Sequence, residues 1–453
     1  MKKITNKVLW LFAVGQFGWS LLAGIISSWM VYYYTGKNAV FGGAITGQSL
    51  FLGITLFGLI TAVGRLFDAV TDPLIAGWSD ASNFRGGRRI PFMKVIAIPF
   101  AVVTVGVFAF PVTGSVIAND IILFVALMLF YLFMTIYCTP YNALIAELGD
   151  TQKNRINVST YISFTYIAGL SVAYLLPNLA GLFTDALGAA NAVRLAIAIL
   201  AAVAAIAMLV PSLCIRERDY IASVPVRTKA FSSLFKSFGN KQFRRFVYAD
   251  VIYFFAVTLF QTGLAFYITR LMHASESNTF LLTVVMTVVS LCLYPVVNRL
   301  APKFGKKRII IVGFFAYAAV FLITSICGEG LWWGYLIAVL AGVPMAILGI
   351  LPQAVVADIA EADARTYGEQ RSGMFFAART FAMKLGQALS LLIFTSVTVY
   401  DSPLRYRITA IIATVCCIIG AVLFFSYNEK SVMDIIAAPA DTPTPEHDTE
   451  ETP

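Results

Sequence analysis

Histidine is almost missing from this chain: among 453 residues there are two, His273 and His447. There is no HExxH segment for a metal-dependent hydrolase and no GxSxG elbow for a serine one, which argues against a membrane-embedded hydrolase, the rival reading from another functional class. Charge is scarce as well, at 13% Asp, Glu, Lys and Arg. The six cysteines, Cys138, Cys214, Cys292, Cys327, Cys416 and Cys417, show no CxxC spacing and lie in or beside apolar runs, where they read as small apolar fillers.

What is present in excess is hydrophobic residue, 59% of the chain with a mean hydropathy of +0.80, which no soluble fold of this length shows. Apolar runs of about 20 residues predict an all-α membrane protein with twelve spans, near 8–33, 50–78, 91–111, 120–146, 156–183, 190–213, 244–270, 278–300, 309–328, 331–357, 373–399 and 405–427. Of the 33 Lys and Arg residues, 24 fall at one set of alternate loops and termini. That bias predicts cytoplasmic N- and C-termini in a cell (inner) membrane and accounts for the net charge of +9 without a nucleic-acid partner. The first span is too long for a signal-peptide core and is expected to stay as a helix.

The few charges inside the spans are therefore informative. The second span carries Arg65, Asp68 and Asp72. Asp68 and Asp72 share a helix face, and Arg65 lies one turn from Asp68 on that face. A charge at mid-bilayer costs roughly 2.5 to 3.5 kcal/mol on insertion scales, so such groups normally face a cavity or a protein interior. Two acids and one base leave a surplus negative charge, which suits a proton or a hard monovalent cation. The plainer alternative is that the acids cap a helix end before Pro73. The eleventh span supplies Lys384, on one face with Thr380 and Gln387 and far from the ends of its run, placed to balance the acids; the alternative is a lysine reaching a membrane surface.

Other polar groups mark a cavity. The first span has Gln16, Trp19 and Ser20 on one face; the fourth has Thr135, Cys138, Thr139 and Asn142, with Tyr141 beside them and Pro140 within the span. Ordinary helix packing is the competing reading for Gln16 and Trp19. A middle loop at about 214–243 carries Phe231, Leu234, Phe235 and Phe238 at helical spacing between lysines, which reads as an amphipathic surface helix. It divides a six-helix bundle at 1–213 from a second at 244–430, and an acidic tail at 431–453 reads as disordered. The halves echo one another: Arg85-Gly86-Gly87-Arg88-Arg89-Ile90 matches Phe304-Gly305-Lys306-Lys307-Arg308-Ile309, and Pro140 with Glu147, Asp150 and Arg155 matches Pro352 with Asp358, Glu361 and Arg365. A parallel six-plus-six repeat is the pattern of a rocking carrier.

The stretch from Arg65 to Pro73, continuing through Ser79-Asp80 to Arg88-Arg89-Ile90-Pro91, resembles the glycoside-pentoside-hexuronide cation symporters, the melibiose-carrier branch of the major facilitator superfamily. Thr139-Pro140-Tyr141-Asn142-Ala143-Leu144, Ala357-Asp358 through Gly368-Glu369-Gln370-Arg371-Ser372-Gly373, and Phe375-Phe376-Ala377 to Lys384-Leu385-Gly386-Gln387-Ala388 fit the same family. The resemblance implies Asp68 and Asp72 as cation ligands, an added oxygen from Thr135 and coupling through Lys384. Arg65, Asp80, Arg88, Arg89, Glu147, Asp358 and Glu361 fall into a gating or charge network. Where melibiose-type carriers place sugar-binding acids, this chain has Ser20 and Cys138, and Asn142 stands at their tryptophan. Gln16, Trp19, Ser20, Tyr141 and Asn142 are the substitute candidates, with Arg379 as a spare cation.

The expectation is a secondary active symporter, not an enzyme, importing a sugar, glycoside or related polar solute with sodium or protons. No cofactor beyond the coupling ion, no structural metal and no partner beyond solute and lipid bilayer are expected, and the resemblance implies a monomer. A carrier of an anionic sugar acid or an amphipathic lipid would share the fold and would need a fixed cation, for which Arg379 is the candidate.

Overall fold

A computed structural model describes residues 3–35, 40–46, 49–51, 54–82, 84, 86–109, 114–148, 152–220, 236–367 and 372–437. The first half contains α1 (Asn6–Tyr34), a two-stranded ribbon of β1 (Ser49–Phe51) and β2 (Ile54–Thr55), α2 (Leu56–Ala81), α3 (Ile90–Ala109), α4 (Val116–Leu148), α5 (Gln152–Tyr174), short α6 (Leu176–Gly181) and α7 (Thr184–Leu187), and α8 (Ala189–Cys214). After α9 (Glu217–Tyr220), the second half contains α10 (Lys241–Phe266) running into a π turn (Tyr267–Leu271), α11 (Asn278–Phe304), α12 (Lys306–Ile326), α13 (Leu331–Tyr367), α14 (Ser372–Val397), α15 (Pro403–Phe424) and α16 (Glu429–Ala437). Leaving aside the short α6, α7, α9 and α16, twelve long helices among the described residues correspond one to one with the twelve apolar runs.

Eleven of the long helices are apolar enough to cross a membrane on composition alone. The twelfth is α2, disqualified by Arg65, Asp68 and Asp72. The outer helix faces are as apolar as the inner ones. In α3, Val95, Ile98 and Val102 are more than half exposed while Met93, Ala97 and Phe100 are buried, as expected where lipid replaces water.

The second span starts later than the sequence pattern suggests. Residues 50, 51, 54 and 55 lie in the ribbon, and helix begins only at Leu56, because the Thr55 side chain accepts from the Gly58 amide at 3.0 Å and caps the free N–H groups. At the other end of the chain, residues 431–437, read as tail, are helical in α16, while 438–453 lie outside the described residues, as do Phe231, Leu234 and Phe235 of the expected surface helix.

Within the first half α1 packs on α5 and α8, and α4 on α2 and α3; within the second, α10 packs on α14 and α15, and α13 on α11 and α12. The halves meet through α2 with α14, α1 with α10 and α5 with α11. The basic loops lie at one end of the helices. At the opposite end the halves are pressed together: a Cβ at Gly58 of α2 would stand 2.1 Å from Thr395 Oγ1 of α14, and the rings of Tyr32 and Phe266 lie 5.0 Å apart. Glu276, just before α11, lies beside Tyr32 at this end.

The basic end is built twice on one plan. Gly87, at φ +119°, turns the chain into α3, and the Glu217 carboxylate accepts from the amides of Arg88, Arg89 and Ile90 at 2.9, 2.9 and 3.0 Å. Gly305, at φ +86°, does the same for α12, where Glu429 accepts from the amides of Lys306 and Lys307 at 2.7 and 3.0 Å. A helix N-terminus offers unpaired N–H groups and a partial positive charge, so a carboxylate is its natural cap. A side chain at either glycine would be strained by φ and would meet the acid; at Gly87 the added Cβ would lie 2.3 Å from Glu217 Oε2.

Candidate functional site

The charged residues predicted from the sequence converge between α2, α4 and α14. Asp68 is fully buried, Asp72 is 29% exposed and Lys384 is 10% exposed, measured on side chains. Lys384 Nζ lies 2.6 Å from Asp72 Oδ2 and 2.9 Å from Asp68 Oδ2. The opposite oxygens of the two acids meet at Thr135: its Oγ1 is 2.8 Å from Asp68 Oδ1 and 3.3 Å from Asp72 Oδ1. Thr139 Oγ1 approaches Asp72 Oδ1 at 3.5 Å, and Thr71 Oγ1 lies 3.4 Å from that of Thr135.

This geometry follows from helix spacing. Asp68 and Asp72 are stacked by the i, i+4 relation on α2, and Thr135 and Thr139 by the same relation on α4, so two helices offer matched pairs of oxygens. The cluster has two faces. One is an Oδ1 face of carboxylate and hydroxyl oxygens contributed by the first half; the other is an Oδ2 face closed by an ammonium from the second half. Among the described residues no group of three or more His, Cys, Asp or Glu is placed to hold a metal. Two carboxylates with hydroxyls form a weaker, harder donor set than a structural metal centre provides.

Arg65 stands at the edge of the Oδ2 face. Its Nη1 is 3.7 Å from Asp68 Oδ2, its guanidinium lies over the Tyr131 ring at 5.1 Å, and its buried Nε has no hydrogen-bond partner among the described residues.

Two cavities flank the cluster. One, of about 250 Å³, extends from Asp72 toward the basic end and is lined by Thr139, Asn142, Phe376, Thr380 and Phe381 among others. The other, of about 40 Å³, lies on the closed side and is lined by Ser27, Arg65, Tyr131, Thr258, Gln261 and Gln387 with apolar neighbours.

The remaining candidates separate. Asn142 faces the larger cavity. Tyr141 does not: its ring stacks on Phe12 at 4.2 Å and its hydroxyl donates to the Phe12 carbonyl at 3.0 Å, inside the first half. Ser20 is also withdrawn, fully buried against α5 and donating to the Phe17 carbonyl at 3.1 Å. Gln16 is buried with Oε1 unpartnered among the described residues, and Trp19 is half-buried near Tyr166, its Nε1 likewise unpartnered. Arg379 is not a spare cation. Its Nε and Nη2 hold Asp250 at 2.8 and 3.1 Å, a forked pair on α10 and α14 beside Phe246 and Phe254.

Glu147 lies 2.7 Å from Arg88 and 2.8 Å from Arg89, and Asp358 holds Lys306 in the equivalent place. Glu361 forms an exposed pair with Arg365 at 3.0 Å on its own helix, and the Asp80 side chain lies outside the described ones. The sequence reading missed Asp250, Glu217 and Glu429. Asp250 is an acid inside an apolar run, a signal available in the sequence; the two glutamates act on amides remote in sequence, which nothing local announces.

The MFS/sugar transport protein family matches residues 11–428. The chain is 24% identical to the symporter YnaJ of Bacillus subtilis over 66% of this chain, and the match spans 62% of that relative. It is 22% identical to the isoprimeverose transporter of Lactiplantibacillus pentosus, covering 80% of this chain and 72% of that one. With the sodium-dependent lysophosphatidylcholine symporter 1 of Xenopus tropicalis it shares 23% identity over 74% of this chain and 70% of the relative. Among solved structures, a proton-dependent oligopeptide transporter has the same fold, with a TM-score of 0.69 at 13% identity, covering 95% of this chain and 99% of the other. This chain is a membrane-embedded, multi-pass member of the MFS/sugar transport protein family, with the twelve-helix major facilitator fold.

Proposed function

We propose that this protein is a secondary active symporter that imports a sugar, glycoside or related polar solute with sodium or protons by alternating access. The observation that carries the reading is the cluster itself: two carboxylates and a threonine from one half, tied at mid-membrane to a lysine from the other half. The coupling ion lodges on the Oδ1 face, where Asp68, Asp72, Thr135 and Thr139 offer oxygens to a sodium ion or acid oxygens to a proton. By the excess of Lys and Arg, the basic end is cytoplasmic and the conformation described above is inward-facing, its larger cavity open to the cytoplasm.

Coupling follows from the cost of burying unpaired charge. Asp72 is partly exposed in this conformation, so it can exchange an ion with the cytoplasmic cavity. Closing that side buries it, which costs several kcal/mol unless ion and lysine together neutralise the acids. Asn142 and Thr380 supply hydrogen-bonding groups where a solute enters from the cluster side.

A second reading, an amphipathic lipid as solute, has support from Phe376 and Phe381 in the same cavity and from the lysophosphatidylcholine symporter among the relatives. Proteoliposome uptake separates the readings: neutral sugars, sugar acids and a lysophospholipid are offered under an inward sodium gradient, then a proton gradient. Gradient-driven accumulation of a sugar supports the first reading. Accumulation of the lysophospholipid alone replaces it with the second, and equal equilibration of all solutes regardless of gradient overturns both.

A further inference from the structure

The outer edge of the basic end carries charge that its ion pairs do not use. In the first half both arginines after the glycine turn are held by Glu147, at 2.7 and 2.8 Å, and the third position is Ile90, buried in the core. In the second half only Lys306 is held by an acid, Asp358. Lys307 turns its Nζ to the Phe425 carbonyl at 2.8 Å, and Arg308, at the place of Ile90, is exposed and makes no ion pair among the described residues. Lys430, at the start of α16, is exposed in the same way.

These three cations border one groove. It has a volume of about 630 Å³, lies between the N-terminus of α12, the C-terminus of α15 and the start of α16, and has Phe304 and Phe425 in its walls. Its acid, Glu429, is already engaged, because its two carboxylate oxygens accept from the amides of Lys306 and Lys307. Three positive charges against one negative leave the groove with a surplus of two.

Below the groove the surface is made for hydrocarbon. Arg308, Val312 and Phe315 follow at i, i+4 and i+7 on one exposed face of α12, and Val415, Ile418, Val422 and Phe425 form an exposed face of α15. The two helices pack on each other, and Arg308 and Phe425 border the same groove, so these faces run side by side as one apolar strip with the cations at its basic end. A cationic collar above an apolar strip matches a phospholipid of net negative charge: phosphate oxygens meet guanidinium and ammonium groups, and acyl chains lie along the strip. A soluble anion would use only the collar, and a zwitterionic lipid would bring a further cation into a groove that is already positive.

We propose that this groove binds the headgroup of one anionic phospholipid from the leaflet at the basic end, with Arg308 and Lys430 as its phosphate contacts. The bound lipid fastens α12 to α15 and α16 within the second half, at the end where the larger cavity opens. The inference goes beyond the symporter reading and is independent of it, since binding is read without solute or coupling ion.

The test titrates the full-length protein in detergent with phosphatidylglycerol, with phosphatidylcholine of the same acyl chains, or with soluble glycerol phosphate. Native mass spectrometry counts the bound molecules, and the thermal unfolding midpoint is followed in parallel. Wild type is expected to retain one phosphatidylglycerol about tenfold more tightly than phosphatidylcholine, to unfold at a higher temperature with it, and to retain no glycerol phosphate. Arg308→Gln with Lys430→Gln, two exposed positions where the fold tolerates change, is expected to lose the preference; Arg308→Lys with Lys430→Arg, which keeps the charge, is expected to retain it. Lys94→Gln with Arg299→Gln removes two exposed basic side chains from the same end but outside the groove, and is expected to leave the preference unchanged. Equal retention of the two lipids by wild type, glycerol phosphate bound as tightly as phosphatidylglycerol, or a preference that survives in the groove pair or falls equally in both Gln pairs overturns the inference.

Discussion

The two halves of the molecule agree at the basic end and diverge at the middle. At the basic end each half has a glycine at positive φ, a helix N-terminus capped by a distant glutamate, and a basic side chain held by an acid at the end of the fourth helix of its half. At the middle the first half places Asp68, Asp72 and Thr135 around an oxygen-lined face, while the second has Lys384 and a closed Arg379–Asp250 pair. The scaffold is common to both halves and the paired mid-span carboxylates are confined to one. A rocking carrier needs both properties: equivalent ends that open and shut alike, and a single site at the seam whose charge depends on both halves.

The comparison is broken most severely at the middle. Asp72→Asn is expected to abolish gradient-driven accumulation in proteoliposomes, and Glu429→Gln, at the equivalent scaffold of the second half, to leave it measurable. Equal loss in both would mean that the ends and the middle are not separable. Next in size is the buried pair. Asp250→Asn leaves Arg379 unpaired in an apolar setting and should cost about 3 to 5 kcal/mol of stability, read as a large drop in the thermal unfolding midpoint. Asp250→Leu combined with Arg379→Met should recover most of it, which a pair with a transport role of its own would not permit in activity.

Smaller effects sharpen the likeness of the ends. Glu217→Gln and Glu429→Gln each remove a charge from a helix N-terminus and should each cost about 1 to 2 kcal/mol, by similar amounts, in the same unfolding measurement. A cost confined to one half would deny their equivalence. The smallest effect concerns the closed end. Burial raises the Glu276 carboxyl above its ordinary range. A raised carboxyl pKa in the closed arrangement means that the protonated form favours closure there. Raising pH through that value should shift the population toward opening, as measured by thiol labelling of Thr395→Cys against a cysteine-free background. Glu276→Gln should flatten the pH dependence.

Much of this was legible in the sequence, because membrane spans and buried charges are strong signals. Twelve apolar runs became twelve long helices, and Asp68, Asp72, Thr135 and Lys384 came together across more than 300 residues of chain. The failures share a cause. Helical periodicity says that Tyr141 and Ser20 share faces with polar neighbours, but not which face meets a cavity; Tyr141 is taken by Phe12 and Ser20 by α5. Arg379 was isolated only along the chain, since Asp250 approaches from another helix. The repeat in the basic turns was visible, whereas the glutamates that complete it were not, because a carboxylate bonded to backbone amides leaves no partner residue type to recognise.

The most direct test of the central claim, that Asp68, Asp72 and Thr135 hold the coupling ion, is equilibrium binding of radioactive sodium to purified protein, with proton uptake measured in parallel, for the wild type and Asp72→Asn. The account predicts that the wild type binds one of the two ions and that Asp72→Asn loses it while remaining folded. An Asp72→Asn protein that binds the same ion with wild-type affinity would contradict it.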